Sequence, residues 1–166
     1  MARLIASALI LLSLTSCALT QDTPVELRES IVAVAKCYFG VPYEWGGQSF
    51  WWQEDATVDC SGFVINVYKE ALLDSVWSLG FDDATADGLY RDHSRPTEDP
   101  QPGDLVFFRG EEGRMVHVAI YLGQGDGELV IIDASSLPET NKVMVRRIAA
   151  DRSDIAGFAV MELVAK

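Results

Sequence analysis

The sequence predicts an α+β fold, with helices first and then an antiparallel sheet of about five strands. Three observations carry that expectation. Up to about residue 73 the apolar residues recur at helical spacing, and after Pro102-Gly103 the period changes to two. Helices followed by a run of strands, rather than alternation of the two, is the α+β order. The third observation is size: 166 residues, 49% hydrophobic and 23% charged, suit one globular domain with one core.

Taken in order, residues 1–16 read as a leader rather than as part of the fold. Arg3 gives a positive start, and Leu4 to Leu14 form an apolar run too short to span a bilayer. The run ends in Leu14-Thr15-Ser16-Cys17, which resembles a bacterial lipobox. The resemblance implies secretion and a lipid on Cys17, with residues 17–23 a short linker and 24–166 a single domain. Ala18 is not the aspartate associated with inner-membrane retention, so the expected location is the periplasmic face of an outer membrane.

Thr23-Pro24-Val25-Glu26 has the form of a capping box with proline in the first turn. Leu27, Ile31, Val34, Ala35 and Tyr38 then mark one helix face, with Cys37 on its flank and Gly40 as the stop. A turn rich in Pro and Gly, Val41 to Gly47, leads to a loop, Gln48 to Val58, that carries Phe50, Trp51 and Trp52. This loop is expected either to wall a substrate groove or to pack on the first helix. A second helix runs from Ser61 to about Leu73, with Phe63, Val64, Val67, Tyr68, Ala71 and Leu72 on one face and Asp59 as its cap. A short helix is expected near Thr85 to Tyr90. The strands are Leu105–Phe108, Val116–Leu122, Glu128–Asp133, Val143–Arg146 and Ala156–Leu163. In the second of these, Val116, Val118, Ile120 and Leu122 share one face, and His117, Ala119 and Tyr121 the other.

A net charge of −12, with no Lys/Arg cluster, argues against nucleic acid and against adhesion to anionic lipid head groups. Beyond Cys17 two cysteines remain, Cys37 and Cys60. They form a disulfide, or one is a nucleophile and the other a buried thiol. Cys60 has the surroundings of a nucleophile: a helix N-terminus favours the anionic form of a thiol, and Ser61 and Gly62 leave room for a substrate carbonyl. His117 is a polar residue in an otherwise apolar strand, which makes it a core histidine with satisfied hydrogen bonds or the base of such a thiol. Asp133 ends the next strand, where it either orients the imidazole or begins a turn with Ser135 and Ser136. His93 lies among Asp92, Ser94 and Arg95 and reads as a surface residue. With two distant histidines and no HExxH pattern, neither a metal nor another cofactor is expected.

Four segments add a resemblance. Pro42-Tyr43-Glu44-Trp45-Gly46-Gly47, Asp59-Cys60-Ser61-Gly62-Phe63-Val64, Pro102-Gly103-Asp104-Leu105-Val106-Phe107-Phe108 and His117-Val118-Ala119-Ile120-Tyr121-Leu122-Gly123 together resemble the NlpC family of cell-wall cysteine peptidases. The likeness runs from about Val32 to Val145. It implies a papain-like fold and cleavage of peptidoglycan stem peptides between D-glutamate, through its γ-carboxyl, and a diamino acid. It also implies Cys60 as nucleophile, His117 as base and Asp133 as the orienting third residue, a position often occupied by histidine in the family. By the same resemblance Tyr43 lies near the active site, where its hydroxyl helps bind substrate or stabilise the oxyanion, and Asp59 and Ser61 match positions that in some relatives hold the free amine of a stem peptide. Other amide or ester hydrolysis, acyl transfer, and a silent wall-binding lipoprotein are the alternative readings.

Overall fold

A six-stranded antiparallel sheet underlies three helices that cover one of its faces. The computed structural model describes residues 23–166, so the leader 1–16, Cys17 and the linker up to residue 22 lie outside the described residues. The elements run α1 (Val25–Cys37), α2 (Cys60–Ala71), β1 (Trp77–Ser78), α3 (Ala86–Asp92), β2 (Ser94–Thr97), β3 (Leu105–Arg109), β4 (Met115–Gly125), β5 (Glu128–Ala134), β6 (Val143–Ala149), β7 (Ile155–Met161) and β8 (Val164–Ala165). The sheet order is β2-β7-β3-β4-β5-β6, and β1 pairs with β8 in a separate two-stranded ribbon.

The period-two pattern divides the sheet's side chains between two apolar clusters. Phe107 is the partner of Val118, and Ile120 of Ile132; these four, with Leu105 and Ala134, meet α1, α2 and α3 in the main core. Val106, Phe108, Ala119, Tyr121, Leu129, Ile131 and Ile148 form a second cluster. Phe63, Leu105, Phe107 and Ile120 are all fully buried, and each such side chain contributes roughly 1.5–3 kcal/mol relative to exposure.

Four expectations are corrected. The sheet has six strands because β2, polar and containing Pro96, pairs with β7 at the sheet edge, where a missing N–H is tolerated. No side-chain bond caps α1: Pro24 takes the cap position, and the Thr23 carbonyl instead accepts from Arg28 Nε at 3.0 Å. Val116 is not in the core. Arg109 pairs with Met115 and Phe108 with His117, so Val116 is an extra residue in a bulge, 58% exposed, while Met115 takes the inward place. Finally, α2 is not amphipathic in use, because every residue from Cys60 to Tyr68 is buried.

The burial of α2 has a local cause. The segment after Gly47 lies over its outer side, and Asn66 Nδ2 donates to the carbonyls of Gln48 (2.9 Å) and Ser49 (3.0 Å). Trp51 Nε1 donates to Glu70 at 3.1 Å, and the Tyr38 hydroxyl binds the other oxygen of the same carboxylate. At the far end of α2, Lys166 Nζ donates to the carbonyls of Leu72 (2.7 Å) and Leu73 (2.9 Å). The Pro102-Gly103-Asp104 turn is fixed from the helix side: buried Asp104 pairs with Arg28 at 2.6 Å, and Tyr68 donates to the Gly103 carbonyl at 2.6 Å.

Candidate active site

The site forms where the start of α2 meets β4, β5 and β6. Asp59 adopts extended backbone and accepts from Gly62 N at 2.7 Å, which starts the helix and makes Cys60 its first residue. At that position the Cys60 N–H has no acceptor within the helix. Asp59 is used fully by the protein: Ser61 Oγ donates to Oδ1 at 3.0 Å, and Gly46 N to Oδ2 at 3.1 Å. Gly62 exists for contact, since a Cβ there would stand 2.2 Å from the Gly47 carbonyl oxygen. Gly47 is confined as well, since a Cβ there would stand 2.8 Å from Val58 N. The glycine pair lets the Tyr43–Gly47 turn close over the helix tip.

Across from the helix tip stands His117, on β4 with Ala119 and Tyr121 of the second cluster two and four residues beyond it. Its Nε2 lies 2.6 Å from Asp133 Oδ2, which leaves Nδ1 for the Cys60 thiol, the ring's other polar neighbour. The antiparallel register carries this contact, because Ile120–Ile132 pairing puts His117 and Asp133 on the same sheet face. Burial opposes the charged imidazole. The Asp133 hydrogen bond and the interactions with Cys60 outweigh it and raise the His117 pKa to about 9.

Asp133 is fully buried, and an isolated carboxylate there would be costly. Arg146 meets it from β6, two residues beyond Met144, the Cα partner of Asp133. Arg146 Nε donates to Asp133 Oδ1 at 2.9 Å, and its terminal nitrogen binds Oδ2. Although burial alone would raise the Asp133 pKa, His117 and Arg146 together hold it below the ordinary carboxylate value. Sequence reading missed Arg146. Its only signal is the spacing of a charged residue on the strand after Asp133, which is common on any half-exposed strand.

Tyr43 lines the same cleft as Cys60 and His117, and its segment is pinned by bridges to Val58 and, through Pro42, to Lys142. Partial burial and the negative charges at Cys60 and Asp59 raise its pKa, so its hydroxyl stays a proton donor at neutral pH. Cys37 and Cys60 are free thiols, and Cys37 is exposed rather than buried. His93 is half-buried and stacks on Phe81 at 3.8 Å between ring centres. The tryptophan that borders the site is Trp45, 84% exposed, and not Trp51 or Trp52 of the following loop.

Cys60 separates two clefts. One, of about 750 Å³, is lined by Asp59, Ser61, Asp87, Glu111, Glu112 and Arg114 among others, and is mainly acidic. The other, of about 430 Å³, holds His117 and Tyr43 and is lined by Arg109, Arg146 and Arg152. Trp45 and the bulged Val116 border both. A thiol facing an imidazolium, flanked by free backbone and phenol donors and open on two sides, can carry out acyl transfer on an extended chain.

Known proteins resemble this chain in sequence and in fold. Residues 40–151 match the NlpC/P60 family. The chain is 33% identical over 99 residues to the Bacillus subtilis protein named gamma-D-glutamyl-L-lysine dipeptidyl-peptidase, covering 58% of this chain. It is 29% identical over 107 residues to a Bacillus cereus protein of the same name, covering 63% of this chain. It spans only 30% and 29% of those two relatives' own lengths. Among solved structures, an NLP/P60-family protein of Staphylococcus aureus, described as similar to lipoprotein, superposes with a TM-score of 0.62 at 24% identity, over 87% of this chain and 44% of that one. An NlpC/P60 family protein of Bacillus cereus gives 0.55 at 24% identity, over 84% and 40%. These superpositions establish the α+β fold.

Proposed function

The chain belongs to the NlpC/P60 family, and we propose that it is a cysteine endopeptidase that cuts peptidoglycan stem peptides at the bond between D-glutamate and a diamino acid. The observation that carries this reading is the bond from His117 Nε2 to buried Asp133, which leaves Nδ1 for Cys60. The names of the two Bacillus relatives supply the substrate class.

In the mechanism, the Cys60 thiolate adds to the γ-carbonyl carbon, and the carbonyl π electrons move onto oxygen. The Cys60 N–H at the start of α2 and the Tyr43 hydroxyl are the donors for that oxyanion. The His117 imidazolium gives its proton to the departing amine as the C–N bond breaks, leaving a thioester on Cys60. Neutral His117 then takes a proton from water, whose oxygen attacks the thioester and releases the acid and the thiol. Asp133 holds the imidazole's orientation throughout, and Arg146 holds Asp133. Asp59 and Ser61 border the acidic cleft, the side suited to a substrate ammonium, although the hydrogen bonds of Asp59 within the protein make its first role the shaping of the helix tip.

Outside the described residues, secretion and a lipid on Cys17 would tether the enzyme to the periplasmic face of the outer membrane. The support is the run Leu4 to Leu14 followed by Leu14-Thr15-Ser16-Cys17. Metabolic labelling with a radioactive fatty acid, lost in Cys17→Ala, tests this.

The activity is tested by digesting defined muropeptides and reading the products by mass spectrometry, beside Cys60→Ala. New termini at the D-glutamyl–diamino acid bond, absent with the variant, are expected. Intact muropeptides beside a reactive Cys60 thiol would turn the reading to another amide or ester, and an unreactive thiol to a wall-binding protein.

A further inference from the structure

The two clefts on either side of Cys60 carry opposite charge, and the position of His117 tells which part of the substrate each receives. His117 lines the basic cleft and not the acidic one. Since the imidazolium must hand its proton to the leaving amine, the leaving group lies on the His117 side. The acyl half therefore occupies the cleft of Asp59, Asp87, Glu111 and Glu112. This assignment rests on the endopeptidase reading above.

The leaving-group cleft is positive in a protein of net charge −12. Its arginines are Arg109, Arg146 and Arg152, and its one lining carboxylate is Asp154. That carboxylate is occupied: Arg152 Nε donates to Asp154 Oδ1 at 2.9 Å and a terminal nitrogen to Oδ2 at 2.5 Å. Asp133 lies behind the surface, fully buried and held by Arg146 and His117. Asp154 keeps exposed surface, but Arg152 already balances its charge, so among the described residues the lining of this cleft stays positive overall. Arg152 is meanwhile held in place on two sides. Asp154 fixes its fork, and its guanidinium carbon sits 5.7 Å over the Phe108 ring, whose centre is 5.3 Å from the His117 ring. A guanidinium one aromatic ring away from the proton donor, with part of its N–H fork still facing solvent, is a preorganised partner for an anion carried by the leaving group.

We infer that Arg152 selects the leaving diamino acid by a carboxylate on its side chain, so that a residue of the diaminopimelate type is preferred over lysine. Lysine would bring a lone ammonium into a cleft of guanidinium groups. Diaminopimelate brings the same ammonium with a carboxylate on the same carbon, and that carboxylate meets Arg152.

The test uses the full chain and three substrates that differ at one place: γ-D-glutamyl-diaminopimelate, its analogue with the side-chain carboxylate amidated, and γ-D-glutamyl-lysine. For the wild type, kcat/KM is expected to be about tenfold higher for the first than for the other two, the size of one charge-assisted hydrogen bond. In Arg152→Gln that ratio should collapse to within about twofold of unity, with the change carried mainly by KM. The ratio is insensitive to the fraction of protein folded, so a structural role for the Arg152–Asp154 pair would not move it. Equal kcat/KM for all three wild-type reactions, or a ratio that survives Arg152→Gln, overturns the inference while leaving the peptidase reading intact. Cleavage of none of the three overturns the peptidase reading itself.

Discussion

The two walls of the site are held by different physics. The wall that carries Cys60 is steric: a capped helix tip, two glycines in van der Waals confinement, and a turn pressed onto them. The wall that carries His117 is electrostatic: an imidazole, a buried carboxylate and an arginine, joined by charge-assisted bonds across three strands. Packing does not titrate, so the first wall should be indifferent to pH between about 5 and 9. The second exists only while its charges do. If Cys60 is the nucleophile, as proposed, its position is a property of the fold and its reactivity a property of the solution.

The sharpest break in this contrast is Cys60→Ala, which removes the proposed nucleophile while leaving both walls standing. Turnover should fall on the order of 10⁶-fold, about 8 kcal/mol, with the thermal midpoint near that of the wild type. A large loss of stability instead would mean that the thiol is part of the packing. Next comes Asp133→Asn, with an expected loss of kcat/KM of about 10²- to 10⁴-fold. The His117 pKa, raised to about 9 chiefly against burial by the Asp133 bond, should fall, and the alkaline limb of the rate profile should move to lower pH. The linked stability has the same sign. With a folded pKa above the unfolded value, His117 contributes stability that is complete below about pH 6.5 and is lost as pH rises through about 9. In Asp133→Asn that alkaline decline should shift downward. An unmoved alkaline limb would assign it to another group.

Arg146→Met leaves the carboxylate buried with one partner fewer and should cost about 3–5 kcal/mol in urea unfolding at pH 7. The acid side carries the second readout. Asp133 has a depressed folded pKa, so its contribution is present above about pH 3.9 and lost as pH falls through that lower value. Removing Arg146 raises the folded pKa, and the difference between variant and wild type should shrink on acidification. A constant difference down to low pH would make Arg146 a packing residue only. The mildest break is Gly62→Ala on the opposite wall, where a methyl would press on backbone. It should cost about 1–3 kcal/mol with no displacement of either pH limb. A displaced limb would show that the walls are coupled and the contrast too simple.

The steric wall was largely legible in the sequence, because its devices are local. A cap residue, a cysteine, small neighbours and a glycine-rich turn lie within twenty residues of one another. The helix and strands followed from period alone, and their register brought His117 to Asp133 as the alternation predicted. What escaped was whatever depends on long separations or on departures from regularity. Arg146 joins Asp133 only through strand register, and a charged residue on an outer strand has no mark that separates it from a solvated one. The bulge at Val116 breaks an alternation that looks unbroken on paper, because a valine suits either side of it. The Thr23 capping box satisfies the motif, yet Arg28 draws on the Thr23 carbonyl and Pro24 takes the cap instead. The full burial of α2 was hidden for a similar reason: the cover over Asn66 comes from the Gln48 and Ser49 carbonyls, well before it in the chain.

Lys166 closes the C-terminal end of α2 across 94 residues of chain, whereas Asp59 closes its start from next door. The cap is thus a local bond, while the clamp closes a long loop of chain, and ordering such a loop has an entropic cost that grows only slowly with its length. The two ends of α2 therefore answer to different damage: a cut in a loop between Leu73 and Lys166 would loosen the C-terminal clamp and leave the Asp59 cap in place.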